Sequence, residues 1–575
     1  MSTKKPPKNL FLKDGTPIDK LIVKMLNKQG LHSSKEISNF LEPQLAGLPK
    51  PELMRDLEKA AAIIGNAILK NSPILIWGDY DVDGTTATAL LLLFLKALGH
   101  KQVAYYIPNR LSEGYGLQGE SLEKLSNKRL LENQVLITVD NGISAHSAVQ
   151  TAKKLGYKIV VTDHHTPPEN KVEADAILNP KQHNCDFPGK NLAGVGVAFY
   201  LAIGIRIYLQ NKSYFKKGTP LPNMKQFLDL VAIGTVADMV TLDETNRILV
   251  RAGLETVAAK TNPGIEALCI KNNLDSSLLR SEDISFQIAP KINATGRLGN
   301  AEIAVRLLTS CSLREADNLC ADLIQSNETR KNITLNDLSK AICRIEDSDT
   351  SFSHSIVVAG DFNIGVAGIV ASNLVEKYNK PAVILCEYEG LLYKGSARSI
   401  EGVDLYNVLE QCKEALVSFG GHAMAAGMSI KKEKLQNFKL RFDSAILTMQ
   451  KNSKPLDSSD EGEEVSVSNL FDEKLLKQLL LLEPHGPGNP QPFFIDRSSS
   501  VKDIRRIGSD KSHLKLVISN GTSVINAIAF GMGELYEKCA SKRIEQIVYS
   551  PTTNFFRGKR SWQARVVNIK FTDDN

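Results

Sequence analysis

A chain of 575 residues exceeds what one hydrophobic core supports, so roughly two to four domains are expected. Hydrophobic content of 42% with 23% charged residues is that of a globular protein, and there is no apolar run of about 18 residues to cross a membrane. Eight dispersed cysteines without a Cys-x-x-Cys pair exclude a disulfide scaffold and a thiolate zinc site, and a net charge of +6 by itself names no partner.

Residues 1–50 read as a polar extension with one amphipathic stretch, Ile18–Leu26. Its basic start, Met1-Ser2-Thr3-Lys4-Lys5, lacks the apolar core of a secretory signal, so a cytoplasmic location is expected. From 51 to 255, apolar runs alternate with helical patterns. Ile74-Leu75-Ile76-Trp77, for example, precedes Thr85–Leu98, in which Leu90, Leu91, Phe94, Leu95 and Leu98 recur at helical spacing. That alternation predicts an α/β lobe with a parallel sheet.

Residues 256–350 predict a helical connector, because Pro and Gly are absent between Gly299 and residue 347 while Leu307, Leu308, Leu319, Leu323 and Ile333 keep a helical period. A second, smaller α/β lobe over 351–450 begins at Ser355-Ile356-Val357-Val358-Ala359. The polar, Ser-rich and acidic stretch 451–466 reads as a linker. Short alternating segments over 467–575, such as Leu514-Lys515-Leu516-Val517-Ile518, predict a small β-barrel. From residue 480 onward fourteen Lys/Arg face nine Asp/Glu, so most of the excess positive charge sits there and suits a polyanion.

Four acidic clusters carry the chemistry: Asp79-Tyr80-Asp81-Val82-Asp83-Gly84, Val139-Asp140-Asn141-Gly142, Asp163-His164-His165 and Val236-Ala237-Asp238-Met239. Each follows an apolar run, the last being Leu228–Val236, and such runs read as buried parallel strands whose carboxyl ends collect ligands. Asp79, Asp81 and Asp83 point one way if extended, or fan around a point if the chain bends. Gly84-Thr85-Thr86 then opens a helix whose amides favour phosphate. Taken singly, each cluster could be a capping turn or surface decoration. Together, carboxylates and imidazoles at one crevice repel one another unless cations hold them. Hard oxygen ligands with one histidine suit Mn²⁺ or Mg²⁺, and two such ions bridged by an Asp would activate water for an in-line displacement at phosphorus.

The order of these clusters resembles the DHH phosphoesterase superfamily. Further segments resemble, within it, the RecJ family of bacterial single-strand-specific 5′→3′ DNA exonucleases. They are Asn109-Arg110-x-x-Glu113-Gly114-Tyr115, Asn293-Ala294-Thr295-Gly296-Arg297, Lys394-Gly395-Ser396-Ala397-Arg398-Ser399, Gly420–Gly427 and Glu483-Pro-His-Gly-Pro-Gly-Asn-Pro490. The resemblance runs from about residue 50 to the end. It implies a DHH lobe, a DHHA1 substrate clamp and an OB barrel. It implies metal ligation by Asp81, Asp83, Asp140, His164 and Asp238, with Asp79 and Asp163 close by and His165 facing the scissile phosphate. Arg110, Ser396 and Arg398 would take the 5′-terminal phosphate. Tyr115 would stack on or wedge against a base, and Asn293, Arg297 and His422 would join the substrate contact. Two departures are Trp77, where several relatives place a further histidine ligand, and Thr295, where the family motif has alanine.

In the barrel, Arg505, Arg506, Phe556, Arg557 and Trp562 interleave charge with aromatic faces, as single-strand binding requires. The resemblance further implies single-stranded DNA as substrate, repair and recombination as the setting, and a helicase and a single-strand-binding protein as partners of a monomer. A DHH phosphodiesterase for short oligoribonucleotides or cyclic dinucleotides is the alternative, which the segment after Glu483 disfavours. A catalytically dead strand-binding protein is a second.

Overall fold

The computed structural model describes residues 10–126, 134–215, 221–347, 354–452, 462–508, 510–521, 523–541, 543–556 and 559–572. The chain divides into two compact units, one of residues 49–240 and 252–456, the other of residues 1–48, 241–251 and 457–575.

The larger unit begins with five strands: β1 (Ile74–Trp77), β2 (Val103–Tyr106), β3 (Val135–Val139), β4 (Lys158–Thr162) and β5 (Ala176–Leu178). They pair in the order β2-β1-β3-β4-β5, all in parallel. Every residue of β3 is buried, as a strand covered by helices on both faces requires. The order reverses between β1 and β3, and a crevice therefore opens at their carboxyl ends.

The fourth apolar run forms no strand. Leu228–Ala237 is a helix, and Asp238 is its C-cap. A run buried on every side carries no periodicity to separate helix from strand, and here all residues from Leu228 to Val236 are buried. The helix after β1 likewise begins earlier than expected, at Val82 with Asp81 as N-cap, and its whole first turn is buried.

The connector contains the 34-residue helix Leu313–Glu346. Beyond it, β6 (Ile356–Gly360), β7 (Ala382–Tyr388), β8 (Leu392–Arg398), β9 (Leu416–Gly421) and β10 (Ala425–Lys431) pair in the order β6-β7-β8-β10-β9. Only β6 and β7 are parallel; the rest is antiparallel. The helix Ala289–Arg297 packs its Gly296 against the carbonyl of Tyr80, where an added Cβ would lie 2.3 Å from that oxygen. This close approach brings the connector to the edge of the crevice.

In the smaller unit, β11 (Glu463–Glu464), β12 (Phe494–Asp496), β13 (Ser500–Ile507), β14 (His513–Ser519), β15 (Val524–Ala529), β16 (Ile544–Phe556) and β17 (Lys559–Phe571) form one sheet in the order β11-β12-β16-β17-β15-β14-β13. Among the described residues, no pairing closes β11 onto β13. Glu463 and Glu464, at the end of the polar stretch read as a linker, form the edge strand, and Glu463 pairs with Lys24 and Lys28. Residues 453–461 lie outside the described residues. The amphipathic stretch near the N-terminus joins this unit's core, where Ile22, Leu26, Ile37 and Leu41 pack with Leu476, Phe494 and Leu516.

Arg247 ties the same unit together. Its buried guanidinium donates to the carbonyls of Phe40, Leu481 and Leu482 and lies 3.7 Å from the centroid of the Phe40 ring. Truncation strands buried acceptors, each costing on the order of 1–3 kcal/mol. Arg247→Ala is therefore expected to lower stability by about 3 kcal/mol or more in thermal or urea unfolding, with Arg247→Lys falling between it and the native protein.

Candidate metal centre

The crevice between β1 and β3 gathers the predicted residues. Asp79 follows β1 and is 1% exposed, with a buried Oδ1 that has no hydrogen-bond partner. Asp81 accepts from the Gly84 amide at 2.9 Å. That amide, expected to serve a phosphate, is thus already engaged. Asp83, also 1% exposed, accepts from the amides of Gly194 and Val195, the first turn of the buried helix Gly194–Asn211. The positive end of that helix faces the carboxylate.

Asp140 leaves β3 at φ +62°. A Cβ on Gly194 would stand 2.7 Å from its carboxylate, so only glycine lets the helix come so near. Asn141 bridges the two strand ends, donating to the carbonyls of Val139 and Trp77.

His164 approaches Asp140 Oδ1 at 3.1 Å, Asp238 Oδ2 at 3.5 Å and Asp83 Oδ2 at 3.8 Å through Nε2. Even so, neither ring nitrogen makes a hydrogen bond among the described residues. Asp79, Asp81 and Asp140 form one acidic group and Asp83, His164 and Asp238 another. The ligand atoms within each lie within 4.8 Å of one another. A third group, Asp140, His164 and His165, overlaps both. Asp79, read from sequence as a neighbour of the ligands, thus sits among them.

Asp163 has a different task. It accepts from the amides of Ile143, His164 and His165 and from His165 Nδ1 at 2.8 Å. Burial opposes its ionisation, but these bonds and the His165 charge hold its pKa below the usual value. Burial also opposes charge on His165; the bond to Asp163 and the fields of Asp81 and Asp83 outweigh it and raise that pKa. His164, sealed from water and beside the His165 charge, is pushed down to about 3 and so offers a neutral ring. The carboxylates move the opposite way. Burial and then the charge of Asp81 lift Asp83 to about 7, and burial and then the charges of Asp83 and Asp81 lift Asp238 to about 9. Asp79 and Asp140 rise for the same two reasons.

Orphaned buried oxygens, a neutral buried imidazole and carboxylates crowded on both sides of Asp140 fit a pair of hard divalent cations. Trp77 lies elsewhere: its ring is buried with Leu117, Leu122 and Leu136, and Nε1 donates to the Gly116 carbonyl at 3.1 Å. Thr295 is buried and satisfied by the Ile292 carbonyl, which explains how it replaces alanine.

Beside the centre, Tyr115 is 45% exposed, donates from its hydroxyl to the Asp140 carbonyl at 3.0 Å and stands edge-on to both Tyr80 and His165. Arg110 lies over the Tyr80 ring. Sequence reasoning gave no role to Glu113, which shapes this loop by accepting from the Asn109 amide and from the hydroxyls of Tyr106 and Ser121. It also missed the Gly194–Val195 amides; the signal was Gly194-Val-Gly196 opening a long apolar run.

Arg297 donates to the Gly365 carbonyl, and Arg398, whose guanidinium rests on Gly368, donates to the carbonyl of Ala397. Burial, then the charges of Arg110, Arg330 and Arg398, bring Arg297 down to about 10. None of these four arginines forms a salt bridge among the described residues. Ser396 pairs across β8 and β10 with Gly427. His422 is exposed in the β9–β10 turn and makes no described contact with the metal centre. In the smaller unit, Arg505 pairs with Asp503, Arg506 reaches Glu537 and lies over Tyr536, and Trp562 packs against the core. The Phe556 side chain and Arg557 lie outside the described residues.

The switch-point sheet with this shell of carboxylates and histidines is that of the DHH class of phosphoesterases. The family model "DHH family, N-terminal domain" matches residues 73–235, "DHHA1 domain" residues 351–448 and "RecJ OB domain" residues 464–568. More narrowly, the chain belongs to the RecJ family. It is 35% identical over 570 residues to the single-stranded-DNA-specific exonuclease RecJ of Salmonella typhimurium, covering 96% of this chain and 95% of that one. It is also 35% identical over 566 residues to the Escherichia coli RecJ, with the same coverage. The crystal structure of Thermus thermophilus RecJ with Mn²⁺ superposes with a TM-score of 0.77 at 27% identity, over 96% of this chain and 76% of that chain. The Mg²⁺ complex of the same protein gives 0.70 at 26% identity, over 96% and 74%.

The raised carboxyls set a sign. Between about pH 4, where unfolded Asp ionises, and about pH 9, the carboxyls of Asp79, Asp83, Asp140 and Asp238 hold more protons in the folded metal-free protein than in the unfolded chain. They outnumber the opposite effect of His164, so they make stability fall as pH rises. In chelator the thermal midpoint is expected to drop from about pH 5 to about pH 9, and added Mn²⁺ to raise it more at the upper end than at the lower.

Proposed function

We propose that this chain is a metal-dependent exonuclease that degrades single-stranded DNA from its 5′ end. The observation that carries the reading is the pair of ligand groups linked through the contact of Asp140 with His164, beside arginines that form no salt bridge among the described residues. Membership of the RecJ family supports the substrate and the exonucleolytic mode.

Asp81, Asp83, Asp140, His164 and Asp238, with Asp79 added on geometric grounds, would hold two ions, Mn²⁺ or Mg²⁺. When bound, these supply Lewis acidity and a lowered water pKa for attack on phosphorus. The chain's own groups do the rest. Asp163 fixes His165 through Nδ1, which leaves Nε2 free to donate a proton or hydrogen bond to a phosphate oxygen. Tyr115 presents an exposed ring for a base, steadied by its hydroxyl bond to Asp140. Arg110, Ser396 and Arg398 receive the terminal phosphate; this role and the 5′ polarity are supported by the family resemblance at these residues. Asn293, Arg297 and His422 extend the strand contact, and Arg505, Arg506, Phe556, Arg557 and Trp562 serve the trailing strand.

We further propose the domain limits given above, a cytoplasmic monomer, and action beside a helicase and a single-strand-binding protein; family membership supports these. Among the described residues, no helix is long and apolar enough to cross a membrane. The OB match argues against a dinucleotide phosphodiesterase.

Single strands labelled at either end, and duplexes, provide the test. With Mn²⁺ the 5′ label should leave first as mononucleotide, duplex should resist, and chelator should stop release. Asp140→Asn should lose at least about 10³-fold in rate and His165→Ala about 10²–10⁴-fold. Undiminished manganese-dependent activity in Asp140→Asn would refute the metal assignment, and earlier release of a 3′ label would refute the polarity.

A further inference from the structure

One cavity beside the metal centre is lined in part by Asn293 and Arg297, to which the reading above gives a strand contact without saying which group of the strand they hold. It encloses about 210 Å³ and is lined by Met239, Ser285, Asn293, Arg297, Arg330 and Ile369 among others. Its walls thus come from the chain next to Asp238, from the connector and from the helix of the second lobe, Ala367–Tyr378. The charged residues lining it are both arginines, and no Asp or Glu faces it. Arg110, Ser396 and Arg398 do not line it.

Arg330 projects from the long connector helix, and its Nε is buried without an acceptor. A guanidinium nitrogen sealed from water without an acceptor is completed by an anion that reaches it, while the rest of this half-buried side chain stays open to an incoming ligand. On the same helix Glu328 is engaged by Lys331 at 2.9 Å. Burial depresses the pKa of Arg330, and its charge in turn helps depress that of Arg297. Glu328 lies close enough for its field to act on Arg330 but does not line the cavity, so the two cations, with an amide and a hydroxyl beside them, make a site for a compact oxyanion. The volume of about 210 Å³ is ample for a phosphoryl group.

We infer that Arg330, with Asn293 and Arg297, forms a phosphate subsite on the Asp238 side of the metal centre, separate from the Arg110, Ser396 and Arg398 group. Its occupant is a phosphoryl anion, supplied either by an internal phosphate of the bound strand or by free orthophosphate. This rests on the nuclease reading for the first source only.

Full-length native protein, Arg330→Gln and Arg330→Lys are compared for binding of a fluorescent single strand in Ca²⁺ by anisotropy over a range of salt. Arg330→Gln should bind about tenfold more weakly, with a salt slope shallower by about 0.7, the loss of one phosphate contact on a single strand. Arg330→Lys should recover part of the affinity. Strands carrying one methylphosphonate at successive linkages locate the contact, because at that linkage the native protein and Arg330→Gln should bind alike. A calorimetric titration with orthophosphate covers the other source, with binding to native protein and none to Arg330→Gln. Asn293→Asp, which places a like charge against the anion, repeats every measurement in case Arg330→Gln does not fold. Equal affinity, equal slope and equal orthophosphate response in native and variant proteins would overturn the subsite. Failure of the native protein to bind any strand would instead overturn the nuclease reading, leaving the orthophosphate titration to judge the cavity.

Discussion

Mutual repulsion among Asp79, Asp81, Asp83, Asp140 and Asp238 is the constraint around which this protein is arranged. Most of them are sealed from water, and burial together with neighbouring carboxylate charge raises the proton affinity of Asp79, Asp83, Asp140 and Asp238. Folding tolerates such crowding because the surroundings hold the carboxylates in place without neutralising them. Amides at one helix start grip Asp83, the amide of Gly84 grips Asp81, and Asn141 fastens the two strand ends. What remains uncompensated is a charge deficit shaped for cations.

The histidines divide the labour through environment alone. Although adjacent in sequence, they are driven in opposite directions, His164 towards a neutral ring buried among carboxylates and His165 towards a charged ring steadied by Asp163. A ligand to metal has to be unprotonated, whereas a group facing a phosphate oxygen benefits from a proton. One strand end supplies both because Asp163 turns back to take the amides of the two residues that follow it. Close by, Arg110, Arg297, Arg330 and Arg398 gather without a salt bridge among the described residues. The site therefore combines cation-demanding carboxylates at strand ends and at the helix end of Asp238 with anion-demanding arginines from the loop after β2, the connector and the second lobe.

Glycine governs how near these parts can come. Gly194 meets the Asp140 carboxylate and Gly296 meets the Tyr80 carbonyl at separations that no Cβ allows. Both stand in or beside motifs that read from sequence as apolar helix or as a short family signature. Their contribution is proximity, which no one-dimensional pattern encodes.

The acidic clusters, their apolar lead-ins and the alternation of strand with helix were legible from residue order, because a buried parallel strand and the carboxylate that ends it leave a local trace. Leu228–Ala237 was not, since a segment buried on all sides has no polar face to reveal its period. Nor was the nearness of Asp79 to Asp81 and Asp140, or the burial of Arg330 Nε, whose helix reads as plain connector. The sequence by itself therefore determined which chemical groups the protein owns and that they fall at element ends. Only the tertiary structure decided which of them meet, because strand order, helix termini and Cβ-free contacts set distances between residues that the chain keeps far apart.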